Sequence, residues 1–144
     1  MRVRQFEVND ISEVFALALN TLKESYDPSF LLDLHSYWPD GFLIVEDLMG
    51  IQAFMAGVLM SRQHARILML GVKMERRRQG LATMLCLDFL RKCAMRGVKM
   101  VTLEVRTTNK EAISLYRKLG FSKIMKLEKY YTDGESAYKM QLIL

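Results

Sequence analysis

Ile11, Val14, Phe15, Ala18, Leu19 and Leu22 recur three or four residues apart, the spacing of a helix with one apolar face. Asn9-Asp10 precede them as candidate caps, because a short polar side chain there can accept from the free N–H groups of a first turn. A short strand is expected just before, at residues 3–6. Asp27-Pro28 predict the cap and first-turn proline of a second helix reaching Tyr37, stopped by Pro39 and Gly41. The pattern then changes to strand-like apolar runs at residues 42–45 and 53–60. Asp47-Leu48-Met49-Gly50 between them suits a tight hairpin reversal. A third run follows at residues 66–74.

From Leu81 the helical period returns through Met84, Leu85, Phe89 and Cys93, with Gly97 placed as a C-terminal cap. Residues 100–106 alternate, Val101, Leu103 and Val105 against Thr102, Glu104 and Arg106. Thr108 and Glu111 have capping-box spacing and open a helix carrying Ala112, Ile113, Leu115, Tyr116 and Leu119, closed by Gly120. Residues 121–131 and 137–144 are the last two expected strands, around Thr132-Asp133-Gly134-Glu135. The order β-α-α-β-β-β-α-β-α-β-β predicts an α/β (α+β) fold, a mixed sheet with helices on both faces, as one domain over residues 1–144.

Composition adds limits. With 51% apolar residues, 144 residues can fill one core. The longest uncharged stretch, residues 48–61, falls short of the roughly 20 apolar residues that span a bilayer, so no membrane anchor is expected. No apolar leader opens the chain, and a cytoplasmic location is expected. Cys86 and Cys93 lie in one predicted helix, roughly 10 Å apart at about 1.5 Å per residue, too far for a disulfide. They read as core filler, and no metal site is expected. A net charge of +5 suits an anionic partner, although a solvated basic surface gives the same value.

Chemistry concentrates in a few positions. Arg77-Arg78-Gln79-Gly80-Leu81-Ala82-Thr83 places a glycine turn and arginines before a helix, where free N–H groups and the helix dipole favour an anion. It lacks the Gly-Lys-Ser/Thr ending of a P-loop and the three-glycine dinucleotide fingerprint. A solvated basic turn is the plainer reading. Glu104, in an otherwise apolar strand, either faces water from an edge strand or serves a site. Tyr116 lies on the inward stripe of its helix, as a core tyrosine would. Adjacent Tyr130 and Tyr131 in a strand face opposite sides, so at most one is plain core. His35 and His64 have no carboxylate at a recognisable spacing and receive no role.

Arg77-x-x-Gly80-x-Ala82 resembles the acetyl-CoA motif of GNAT acetyltransferases, Gln/Arg-x-x-Gly-x-Gly/Ala, after the fourth strand. Residues 102–109, 115–121 and 130–135 are similar to the RimI and Ard1 types of protein N-terminal acetyltransferase. So is Leu22-Lys23-Glu24-Ser25-Tyr26, with Lys23 where Ard1-like enzymes have proline. The resemblance runs in order along almost the whole chain. It implies that the backbone of Leu70, Gly71 and Val72 holds the acetyl and pantetheine groups, and that Arg77, Arg78, Gln79, Gly80, Leu81, Ala82 and Thr83 cradle the pyrophosphate. Asn109 would bond the pantetheine arm, unless it is only a helix cap. Glu104 would be the general base and Tyr116 the acid for the departing thiolate, with Glu24, Tyr26, Tyr130 and Tyr131 at the substrate.

The expected reaction is direct attack by a protein N-terminal amine on acetyl-CoA in a ternary complex, with no metal. A ribosome or an auxiliary subunit is a possible partner. A lysine or small-molecule amine is the alternative acceptor. A non-catalytic basic module for nucleic acid or the ribosome is a third reading, against which stand the Gly80-x-Ala82 spacing and the retained Glu104 and Tyr116.

Overall fold

The computed structural model describes residues 1–144. Its strands are β1 (Arg2–Gln5), β2 (Phe42–Asp47), β3 (Gly50–Ser61), β4 (His64–Val72), β5 (Met100–Arg106), β6 (Ser122–Leu127) and β7 (Ala137–Ile143). They form one sheet in the order β1-β2-β3-β4-β5-β7-β6. Only β4 and β5 run parallel, joined through a helical crossover as parallel neighbours require. The helices are α1 (Ile11–Thr21), α2 (Pro28–Tyr37), α3 (Leu81–Arg96) and α4 (Lys110–Lys118), so the element order is the expected one.

Two apolar layers sandwich the sheet. Phe42, Ile44 and Phe54 pack with Val14, Leu17 and Leu31 of α1 and α2. Leu43, Val45 and Met55 pack on the opposite face with Leu85 and Phe89 of α3. Burial on both faces explains the unbroken apolar run of β2. Cys86 and Cys93 are free and buried in the α3 layer, where loss of hydration pushes both thiols up to about 12. No helix is long and apolar enough to cross a membrane.

Several local expectations are corrected. Asp10 does not cap α1 with its side chain; its carboxylate takes two bonds from Arg4, at 2.8 and 2.9 Å, and the Glu7 N–H at 2.8 Å, so it is committed to the segment before α1 rather than to the first-turn N–H groups of the helix. Met74 belongs to a 3₁₀ turn, Met74–Arg76, rather than to β4. Asn109, not Thr108, caps α4: its Oδ1 accepts from the Ala112 N–H at 3.2 Å, while the Thr108 hydroxyl donates to Glu135. Tyr130 and Tyr131 lie beyond the end of β6, in a loop closed by the Tyr131 N–H on the Glu135 carbonyl at 3.0 Å. Strand β5 is interior, between β4 and β7, so Glu104 is not on a wet edge.

Candidate active site

The β4–β5 ladder begins at His64↔Met100 and stops at Ile67↔Leu103, although both strands continue. The cause lies one strand away. Ala56 pairs with Met69 and Gly57 with Ile67, so Leu68 is an extra residue, a bulge that bends β4. Side-chain alternation breaks there: Ala65 and Ile67 pack on the α3 layer, Met69 on the α1 layer. Beyond the bulge β4 follows β3 and β5 follows β7, and a cleft of about 870 Å³ opens between them. Residues 68–72 of β4 thus have no partner strand on the cleft side. Leu70 lines the cleft; Gly71 sits behind it, where a Cβ would come within 2.5 Å of Thr21 Oγ1 and 2.7 Å of the Phe54 ring. Glycine there lets the end of α1 press against β4.

The turn before α3 is built for backbone donors. Gly80 is left-handed at φ +82°, with nothing within 4 Å of where a Cβ would stand, so its need is conformational and the space above it is open. Arg78 is also left-handed, at φ +63°. The Met84 N–H returns to the Gly80 carbonyl at 3.0 Å, and the N–H groups of Leu81, Ala82 and Thr83 precede any intrahelical acceptor. The Leu81 side chain is core, so this residue can offer a ligand only its main chain. The arginines divide their work. Arg76 pairs with Asp47 of the β2–β3 hairpin, the Arg77 Nε reaches the Val72 carbonyl at 3.4 Å, and Arg78 is exposed. Gln79 returns to the Glu75 carbonyl at 3.5 Å. Only Arg77 of this loop lines the cleft itself. Val72, Arg78, Gln79, Gly80, Ala82 and Thr83 lie outside it.

Glu104 and Tyr116 line the same cleft, as do Asn109, Glu24, Tyr26, Tyr130 and Tyr131. Glu104 is held by Arg66 of β4, whose Nε and Nη2 lie 2.8 and 2.6 Å from the same oxygen, Oε1. The Arg66 Nη2 also donates to the Tyr130 hydroxyl at 3.1 Å. Tyr116 is buried against Phe121, with ring centroids 5.6 Å apart, and burial raises its pKa, so the phenol stays protonated near neutrality. One step along the sheet, His64 Nε2 meets the Thr102 hydroxyl at 2.7 Å; burial and then the Lys139 and Arg66 charges keep that imidazole neutral.

The opposite rim is knotted by Arg106. Its Nη2 donates to Glu24 at 2.9 Å, and its Nη1 donates to Asp133 and Glu135 at 2.9 and 2.8 Å. Its guanidinium lies 4.0 Å over the Tyr131 ring. The α1–α2 loop and the β6–β7 loop are thereby fastened across one side of the cleft. Tyr26 stacks on Phe30 at 5.4 Å on the same rim. Sequence reasoning missed Arg66 and Arg106 as site residues. Arg106 stands two residues from Glu104 on one face of β5, which was a usable signal; nothing in the pattern marked Arg66.

Residues 9–121 match the acetyltransferase (GNAT) family. The NAA10 catalytic subunit of the N-terminal acetyltransferase A complex of Arabidopsis thaliana is 33% identical, over 96% of this chain and 76% of its own length. The crystal structure of Ard1 from Thermoplasma volcanium superposes with a TM-score of 0.95 at 38% identity, covering 99% of this chain and 97% of that one. Naa20 from Chaetomium thermophilum, solved with a bisubstrate analogue, gives a TM-score of 0.90 at 28% identity, covering 100% and 87%. A match across most of the chain, on a sheet opened between β4 and β5, means that the chain belongs to the acetyltransferase (GNAT) family.

Proposed function

We propose that the chain, as a single domain of residues 1–144, transfers the acetyl group of acetyl-CoA to the α-amine of a protein N-terminus. The observation that carries this reading is that a carboxylate, Glu104, and a protonated phenol, Tyr116, line one cleft beside the unpaired edge of β4. The names of the relatives and neighbours, an N-terminal acetyltransferase subunit, Ard1 and a Naa20 with a bisubstrate analogue, agree with it.

Acetyl-CoA, when bound, supplies a thioester acetyl ready for transfer. The main chain of Leu70, Gly71 and Val72 orients its acyl and pantetheine end. Asn109 keeps its amide N–H₂ for the pantetheine arm while its Oδ1 caps α4. The N–H groups of the loop at residues 78–83, with the Arg77 and Arg78 charges, receive the pyrophosphate. Glu104 takes the proton of the incoming ammonium, directly or through a water, and a β4 N–H meets the developing oxyanion. The nitrogen–carbon bond forms as the carbon–sulfur bond breaks: Tyr116 gives a proton to the departing sulfur and is restored by the second proton that the nitrogen sheds, while the proton on Glu104 passes to solvent, so both protons lost by the ammonium are accounted for. Glu24, Tyr26, Tyr130 and Tyr131 hold the peptide.

An α-amine suits this modest base. Its free pKa of about 7.7 to 8 lies roughly 2.5 units below that of lysine, so lysine costs about 3.5 kcal/mol more to deprotonate. The rim fastened through Arg106 also narrows the path that an internal lysine would need. We further propose that the protein works in the cytoplasm with a partner, either the ribosome or an auxiliary subunit; in support of the latter, the Arabidopsis relative is named as the catalytic subunit of a complex.

The test is mass spectrometry of short peptides with free or blocked N-termini, with and without lysine, after incubation with acetyl-CoA. Acetylation of free α-amines is expected; acetylation confined to lysine would sink the proposal. Glu104→Gln should lower kcat about 10²-fold and Tyr116→Phe about tenfold, with coenzyme A affinity unchanged. Loss of coenzyme A binding in either variant would remove its assigned role.

A further inference from the structure

We infer that Arg66 is a positioning residue, which grips Glu104 through one carboxylate oxygen, leaves the other for the acceptor amine, and shares its guanidinium with Tyr130. This rests on the acetylation reading above and adds a residue that the reaction as described does not use.

The placement is specific. Arg66 stands one residue before Ile67, the last position of β4 joined to β5, and Glu104 one residue after Leu103, its partner. The side-chain bridge therefore crosses the last rung of the backbone ladder diagonally, from Arg66, which pairs with Thr102, to Glu104, the first β5 residue beyond the ladder, at the root of the cleft. Both Arg66 contacts, at 2.8 and 2.6 Å, converge on Oε1, and Oε2 has no partner within the protein. The Glu104 side chain is only 11% exposed, so a carboxylate free to turn would spend much of its time in unproductive, poorly solvated directions. A guanidinium fixes it because the planar fork presents Nε and Nη2 together. The same Nη2 holds the Tyr130 hydroxyl at 3.1 Å, so the peptide-side loop and the base are registered to one group. A lysine ammonium at this position is a single point and cannot reproduce the fork.

A bridge that only ties β4 to β5 would lower stability and leave turnover alone. Steady-state kinetics with acetyl-CoA and an α-amine peptide separate these roles, alongside thermal unfolding of each variant. Arg66→Gln should lower kcat about tenfold to thirtyfold, a fraction of what a general base supplies, with the KM for acetyl-CoA within about twofold of wild type. In a Glu104→Gln background the same change should cost less than about threefold, because residues acting as one unit are not additive. Arg66→Lys should regain thermal stability more fully than kcat. Equal losses in both Glu104 backgrounds, or a lower Tm with unchanged kcat, overturn the role. A wild-type enzyme that acetylates no α-amine defeats the proposed reaction itself, whereas an active wild type with a fully active Arg66→Gln defeats only Arg66.

Discussion

The cleft has two walls made of different materials. On the side proposed for the cofactor, β4 lines the cleft and the loop before α3 continues beyond it, both offering main-chain groups aimed by local conformation: a bulge at Leu68, a left-handed Gly80 and the first turn of a helix. On the peptide side, the walls are loops fastened by side-chain charges, with Arg106 holding Glu24, Asp133 and Glu135 together and Arg66 holding Glu104 and Tyr130. A wall of backbone recognises what all acetyl-CoA molecules share. A wall of side chains can be re-cut without disturbing the sheet, which suits the side that must choose an acceptor.

If that division is correct, one side chain should ruin one wall and spare the other. Arg106→Ala removes the shared partner of three carboxylates at once, and with it the fastening of both loops of the rim. Kinetics with a peptide substrate should show kcat/KM lower by about 10²-fold or more, mostly through KM, at about 1.4 kcal/mol per tenfold. Acetyl-CoA affinity, measured by calorimetry, should stay within about twofold, since no donor of the α3 turn involves Arg106. An equal loss on both sides would show that the walls are not independent.

The reciprocal change is smaller. A Cβ at Gly80 meets no atom within 4 Å, but the β-branched residue of Gly80→Val at φ +82° is strained by about 1–2 kcal/mol. Relaxing that strain tilts the first-turn N–H groups. Acetyl-CoA should bind about fivefold to thirtyfold more weakly in calorimetry, with the peptide KM at saturating cofactor unchanged. A rise in peptide KM instead would move Gly80 to the other wall.

The same division explains what was readable in the sequence. The proposed cofactor wall depends on nearby residues, so a basic turn, a glycine and the onset of helical period at Leu81 marked an anion-binding helix start, which only the family resemblance turned into a cofactor site. The element order was equally legible, because apolar spacing, the first-turn Pro28 and the left-handed Gly97 act locally, although the Asp27 side chain at the start of α2 makes no cap bond. The peptide wall depends on pairs far apart in the chain: Arg106 and Glu24 are 82 residues apart, Arg66 and Glu104 38. No period or spacing encodes such a pair. The misplaced details follow the same line. Thr108 has capping-box spacing with Glu111, yet Glu135 from another loop claims its hydroxyl and Asn109 takes the cap. Tyr130-Tyr131 continue an extended pattern, yet a turn through Gly134 pulls them out of β6. The opening of the sheet was also hidden, since the bulge at Leu68 is visible only in the pairing of β4 with β3.

Acid should divide the walls most gently. Main-chain N–H donors do not titrate, but the carboxylates of the peptide wall do. Asp133 lies below its ordinary value of 3.8 because it accepts the Glu135 N–H and the Arg106 guanidinium. Glu135 lies below 4.5 because the Thr108 hydroxyl, and then Arg106, favour its charged form against the cost of burial. With folded-state values below the unfolded ones, the unfolded chain holds more protons between them, so stability falls as pH is lowered through that window. The contribution should be intact above about pH 5 and lost progressively below about pH 4. Amide shifts of Gly134 and Glu135, followed by NMR on acidification, should therefore move with a midpoint below 3.8, while those of Leu81, Ala82 and Thr83 stay flat. A midpoint above 4.5 would mean that neither the hydrogen bonds from the Glu135 N–H and the Thr108 hydroxyl nor the Arg106 charge favours the ionised carboxylates, and that this rim is fastened in another way.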